Sequence, residues 1–199
     1  YGLPSSLTLL GLTSFISVDI ILVKHFFDPH QAGLYAGLSL IGRVIFFISA
    51  PIGTVMFPLI VQKHSRKENF TNTFKLSLLL VFVSSLSLAI FYALFSEFSI
   101  MFFLKKEEYF AISYLLAPFA LFTSLYSVLS IIANFYLSIQ KTKVFIPILI
   151  GAFLQVILIW FFHQTFMQII IISLTITFFL VIMLLIYYPR ATRPSNLTS

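Results

Sequence analysis

Residues 5–27 read SSLTLLGLTSFISVDIILVKHFF, an apolar run interrupted by a single carboxylate, Asp19, well before the terminal Lys24 and His25. A run of this length meets the roughly 20 residues that a helix needs to cross a bilayer. At that depth an uncompensated carboxylate costs about 2.5–3.5 kcal/mol on insertion scales, so it needs a partner or a task. The next apolar stretch carries one arginine, Arg43. If the first helix ends at Phe27 and the second begins at Gly33, a rise of about 1.5 Å per residue puts Asp19 about 12 Å and Arg43 about 15 Å below the same surface. This spacing predicts an ion pair across a helical hairpin. The pair either locks the hairpin or lines a water-accessible cavity. In the second case Arg43 donates to phosphate or pyrophosphate, and Asp19 is its counter-charge or binds a coupling cation.

Working outward, composition assigns the rest of the chain to the same solvent. Of its 199 residues 60% are hydrophobic and 9% charged, against about 25% charged in a soluble domain. The net charge of +6 gathers at the ends of apolar runs, where it reads as a topology signal, so nucleic acid is not an expected partner and the lipid bilayer is. With no cysteine, disulfide frameworks and thiolate metal sites are excluded. Neither do His25, His30, His64 and His163 show metal-ligand spacing. The first run lacks a basic leader and is too long for the apolar region of a signal peptide.

Apolar runs at about 5–27, 33–61, 74–96, 109–138, 144–162 and 166–188 predict an all-α integral membrane protein, a bundle of six transmembrane helices. Residues 189–199 read as a short polar cytoplasmic tail. Lys63, Arg66, Lys67, Lys75, Lys141, Lys143, Arg190 and Arg193 fall at one end of the bundle, and only Lys24, Lys105 and Lys106 at the other. The basic end is expected to be cytoplasmic, with both termini there and the loop 97–108 outside. On that orientation the sequons Asn69-Phe70-Thr71 and Asn196-Leu197-Thr198 face the cytoplasm and are discounted. Because the chain opens at Tyr1 directly into a span, the expectation is a piece of a larger protein.

The second run contains Gly37, Gly42, Pro51, Gly53 and Pro58, which predicts a bent helix serving either close packing or a transport hinge, with Gly42, Pro51, Gly53 and Pro58 as hinge candidates. Pro118 in the fourth run is a further hinge candidate, and Asn134 near its inner end is interhelical glue or a weaker cavity candidate. Lys24 either snorkels to the headgroups or meets substrate at a cavity mouth. Gln155 is expected to bond a neighbouring helix, His163 to be solvated, and Tyr187 and Tyr188 to anchor at the interface. No phosphate-cradling glycine loop, nucleophile elbow or metal cluster is present in the sequence, so nothing supports an enzyme or an ATP-driven pump. Kinked helices with a few buried charges are the pattern of secondary transporters.

The stretch DIILVKHFFDPHQAGLYAGLSLIGRVIFFISAPIGTVMFPLIVQKHSRKEN, residues 19–69, resembles the seventh and eighth helices of the oligosaccharide flippases in the multidrug/oligosaccharidyl-lipid/polysaccharide (MOP) exporter superfamily. The resemblance rests on the aspartate within the helix, the short turn, Ala32-Gly33-Leu34-Tyr35, and Phe57-Pro58 before a basic loop. Leu116-Ala117-Pro118-Phe119 and Asn134-Phe135-Tyr136-Leu137 before Gln140-Lys141 are similar to the tenth helix of that family, and Pro147 and Gly151 to the start of the eleventh.

The resemblance implies one C-terminal six-helix lobe of a two-lobe transporter, whose partner is a missing N-terminal six-helix lobe. Such a protein moves a polyprenyl-pyrophosphate-linked saccharide, undecaprenyl-pyrophosphate-linked oligosaccharide, across a bacterial or archaeal cytoplasmic membrane by alternating access. No cofactor is implied beyond coupling to H+ or Na+. Arg43 would then meet the pyrophosphate or an acidic sugar and Asp19 would be its counter-charge or the coupling site. Two alternatives stay open: a MATE-like multidrug or cation antiporter, which would use Asp19 without needing Arg43, and a membrane-embedded glycan polymerase or ligase. The latter would need catalytic arginines or histidines on a large outer loop, and the loop 97–108 is short and acidic.

Overall fold

In the computed structural model, which describes residues 2–191, the chain is all-α: no strand occurs among the described residues. Helices α1 (Gly2–Phe15) and α2 (Val18–Phe26) are followed by α3 (Pro29–Ser65), α4 (Thr71–Leu94) and α5 (Ser96–Leu104). A 3-10 segment (Glu107–Leu115) leads into α6 (Leu116–Ser138), and a shorter one (Thr142–Val144) into α7 (Phe145–Phe161); α8 (Phe166–Ala191) completes the bundle. Five helices are long and apolar enough to cross a membrane, and α1 and α2, which meet at a 44° bend, make a sixth when counted as one broken span. Arg193 and the sequon at Asn196 lie outside the described residues.

Five departures from the sequence reading bear on the site. The first run is broken at residues 16 and 17 and is not one helix. The stretch 97–108, expected to be an outer loop, is mostly helical, as α5. Residues 189–191, expected to belong to a polar tail, are helical, since α8 continues through Pro189 to Ala191. Pro118 stands at the third position of α6, directly after the 3-10 segment with which α6 forms one continuous span Glu107–Ser138, so its missing N–H falls where the helix type changes and not within uniform α-helix. Most consequentially, α3 begins at Pro29, four residues before the expected Gly33. Asp28 caps it, its carboxylate accepting from the backbone N–H of His30 (3.0 Å) and Gln31 (3.1 Å), with Pro29 at the first helical position. Pro51 and Pro58 lie inside α3 without ending it.

Ring contacts show that successive spans alternate in direction. At one end Phe74 of α4 stacks on Phe135 of α6 and on Tyr188 of α8. At the other, Phe26 stacks on His163, Phe27 and Tyr35 meet Phe166, and His30 pairs with Glu108. Uncharged between Glu108 and Lys141, α6 is buried along most of its length and packs against α3, α4 and α8. By contrast α4 and α8 leave large apolar side chains such as Leu79, Val83, Phe179 and Ile186 exposed. A helix apolar on both its packed and its outer face is suited to lipid. Gly42 serves packing: a Cβ there would lie 2.2 Å from the Phe119 ring. Gly53 has room, its nearest neighbour being Ile131 at 3.4 Å.

Candidate functional site

The break in the first span frees backbone carbonyls at the C-terminal end of α1, and hydrocarbon offers them no donor. Three other helices supply one each. Tyr126 of α6 donates its hydroxyl to the Leu12 carbonyl (2.9 Å), Gln155 of α7 donates its amide to Phe15 (3.2 Å), and the Arg43 guanidinium of α3 donates to Ile16. Gln155 also donates to Ser173 Oγ of α8 (2.8 Å), which ties a fourth helix to the break. The second half of the span starts with Asp19 in its first turn, where the N-terminal partial positive charge of α2 favours a carboxylate. Asp19 is 1% exposed and accepts from the Tyr35 hydroxyl at 3.0 Å. The backbone N–H of Ile20 also bears on that carboxylate, and Oδ1 has no side-chain partner.

The expected Asp19–Arg43 ion pair is therefore a correction: among the described residues the two do not form a salt bridge. The register explains why. With α2 ending at Phe26 and α3 starting at Pro29, Asp19 lies about 10 Å below the turn, Tyr35 about 9 Å and Arg43 about 21 Å. Tyr35 thus meets Asp19 at its own depth, while Arg43 reaches the break about two turns deeper. Placing the start of α3 four residues late had brought Arg43 too near the surface.

A cavity of about 610 Å³ opens between α1, α3 and α6, bounded by Thr13, Ser49, Gly53, Tyr126, Ser130 and Asn134 among others. No charged side chain lines it. Gly53 and Asn134 are brought together there, the amide nitrogen lying 3.7 Å from where a Gly53 Cβ would be. Asp19, Arg43, Lys24, Gly42, Pro51, Pro58 and Pro118 do not line it. Lys24 is exposed near the C-terminal end of α2, and Pro51 and Pro58 are exposed on α3. Among the described residues no group of three or more His, Asp or Glu could hold a metal.

Tyr126 and Tyr35 are the residues of the candidate site that sequence reasoning missed. Tyr35 was discoverable by counting depth from the Asp28-Pro29 cap instead of from Gly33; Tyr126 sits in an uncharged helix of even hydropathy and carries no comparable signal. No family model, curated protein or solved structure matches the chain.

Proposed function

We propose that this chain is one six-helix lobe of an exporter that moves polyprenyl-pyrophosphate-linked oligosaccharide from the cytoplasmic to the outer leaflet by alternating access. The observation that carries the reading is the discontinuous first span. Its carbonyls at the end of α1 and in the break are gathered by side chains from α3, α6 and α7, with a buried carboxylate at the start of α2. Half-helix ends at mid-membrane, next to an ionisable group, are where secondary transporters place substrate and coupling-ion sites. The hydroxyls and amide of the cavity suit a neutral sugar, which needs many modest hydrogen bonds more than a charge. Arg43, one turn along α3 from the cavity residue Phe46, would meet the pyrophosphate if the lobe opened there. Asp19 and Tyr35 would take the coupling H+ or Na+. The basic end carrying Lys63, Arg66, Lys67, Lys141 and Lys143 would be cytoplasmic.

One observation favours a multidrug or cation antiporter instead: the cavity lining holds no arginine, and Arg43 is engaged with backbone. Complementation separates the two. A flippase-deficient strain would receive the full-length protein carrying wild-type, Arg43→Ala or Asp19→Asn lobes, with surface glycan and membrane abundance measured together. Glycan lost at normal abundance in both variants is expected. Restored glycan with Arg43→Ala would take Arg43 out of substrate recognition and leave it a structural donor to the Ile16 carbonyl, and no restoration by the wild type at normal abundance would overturn the flippase reading in favour of the antiporter.

A further inference from the structure

A second cavity, of about 580 Å³, lies at the basic end between α6, α7 and α8 and shares no residue with the first. Its construction is two-sided. Lys141, Thr142 and Lys143 from the α6–α7 connection form a polar rim, and Ile146, Pro147 and Met183 form an apolar wall. The connection is fixed in place by its backbone. Gln140 adopts a left-handed conformation (φ 64°), donating from its N–H to the Leu137 carbonyl (3.1 Å), while Lys141 donates to Tyr136 (2.9 Å). This paired closure of the helix end sets the two lysines on the lining of a cavity that α8 bounds through Met183, Leu184 and Tyr187. The Tyr136 hydroxyl in the wall is already spent on the Leu184 carbonyl (2.6 Å). No carboxylate lines the cavity, and Glu68 is the one acidic side chain in the connections at this end of the bundle. Two exposed lysines thus border a cavity with an apolar wall, at the end of the bundle where α6 stops.

We infer that this cavity binds an acidic phospholipid, its phosphate held by Lys141 and Lys143 and the start of its acyl chain laid against the α7–α8 wall. A phosphodiester supplies the negative charge that the rim lacks, and the glycerol and first methylenes match the change from polar to apolar below it. A free phosphate would satisfy the rim and leave the apolar wall unused. The inference is independent of what the protein transports, since the cavity involves neither the broken span nor the first cavity.

The test is thermal unfolding of the purified chain in a neutral detergent, titrated with phosphatidylglycerol, phosphatidylcholine or inorganic phosphate. Phosphatidylglycerol is expected to raise the midpoint and the other two to leave it unchanged. Removing the rim charges with Lys141→Ala and Lys143→Ala is expected to weaken the apparent affinity about fivefold per lysine. The Lys63→Ala/Lys67→Ala variant, which lowers charge at the same end but away from the cavity, should respond as the wild type does. Equal response to phosphatidylcholine, equal response to inorganic phosphate, an unaffected rim variant, or a loss as large in the Lys63→Ala/Lys67→Ala control would each overturn the assignment. Should the rim variants fail to fold, the wild type in 1 M salt decides: loss of the preference for phosphatidylglycerol supports an ionic site, and its persistence refutes one.

Discussion

At the residue scale, the broken span depends on individual donors whose loss strands a carbonyl in a medium with no water. Arg43→Ala leaves the Ile16 carbonyl without its partner, which is expected to cost about 1–3 kcal/mol, seen as a lower unfolding midpoint in detergent. Arg43→Lys, which keeps a donor, should recover part of it. Tyr126→Phe removes only the hydroxyl that reaches Leu12, and hydrogen bonds between membrane helices average about 0.6 kcal/mol, so a smaller drop is expected. Asp19 and Tyr35 are coupled differently. Asp19→Asn keeps an oxygen that can accept from Tyr35, so folding should survive while any charge-dependent transport is lost. A large fall in membrane abundance would instead assign Asp19 a structural role. These contrasts rest on geometry that residue types alone could not supply, because Arg43 invited a carboxylate partner and found a carbonyl.

At the element scale, α3 combines two kinds of glycine that the sequence shows identically. Gly42 lets α3 approach Phe119 of α6, and a methyl group there would lie 2.2 Å from the ring. Gly42→Ala is therefore expected to destabilise by about 1–3 kcal/mol through overpacking. Gly53→Ala meets only ordinary contact, so it should be neutral or stabilising by up to about 1 kcal/mol from helix propensity. Thermal melts of the two variants side by side test both expectations, and equal losses would refute the packing distinction. Pro51 and Pro58 are hinge candidates of another sort, since each removes a backbone bond while leaving α3 continuous. If they ease bending, Pro51→Ala should slow transport without lowering the unfolding midpoint.

On the scale of the whole molecule, alternating spans sort the connections into a basic and a mixed end, and the absence of native cysteine makes their placement directly measurable. Single cysteines in place of Glu68 and Glu107 lie on connections at opposite ends. With an impermeant maleimide on intact cells, Glu107→Cys is expected to be labelled and Glu68→Cys only after permeabilisation. The opposite pattern would invert the assigned orientation, and labelling of both from one side would contradict the six-span arrangement.

How much could be read from the chain follows the range of the forces involved. The all-α fold and its long apolar helices were legible because the apolar runs that a spanning helix needs are a matter of local composition over about 20 residues. The importance of Asp19 was legible for the same reason, a charge being conspicuous in an apolar run. Tertiary structure alone decided the break beside it. The sequence Ser14-Phe15-Ile16-Ser17 holds neither proline nor glycine, so nothing local demands an interruption. The donors that make one affordable come from positions 27, 114 and 140 residues away along the chain. Only when α3, α6 and α7 are packed together do those donors converge on three carbonyls, and in hydrocarbon an unpaired carbonyl is costly enough for that convergence to determine where the helix can open.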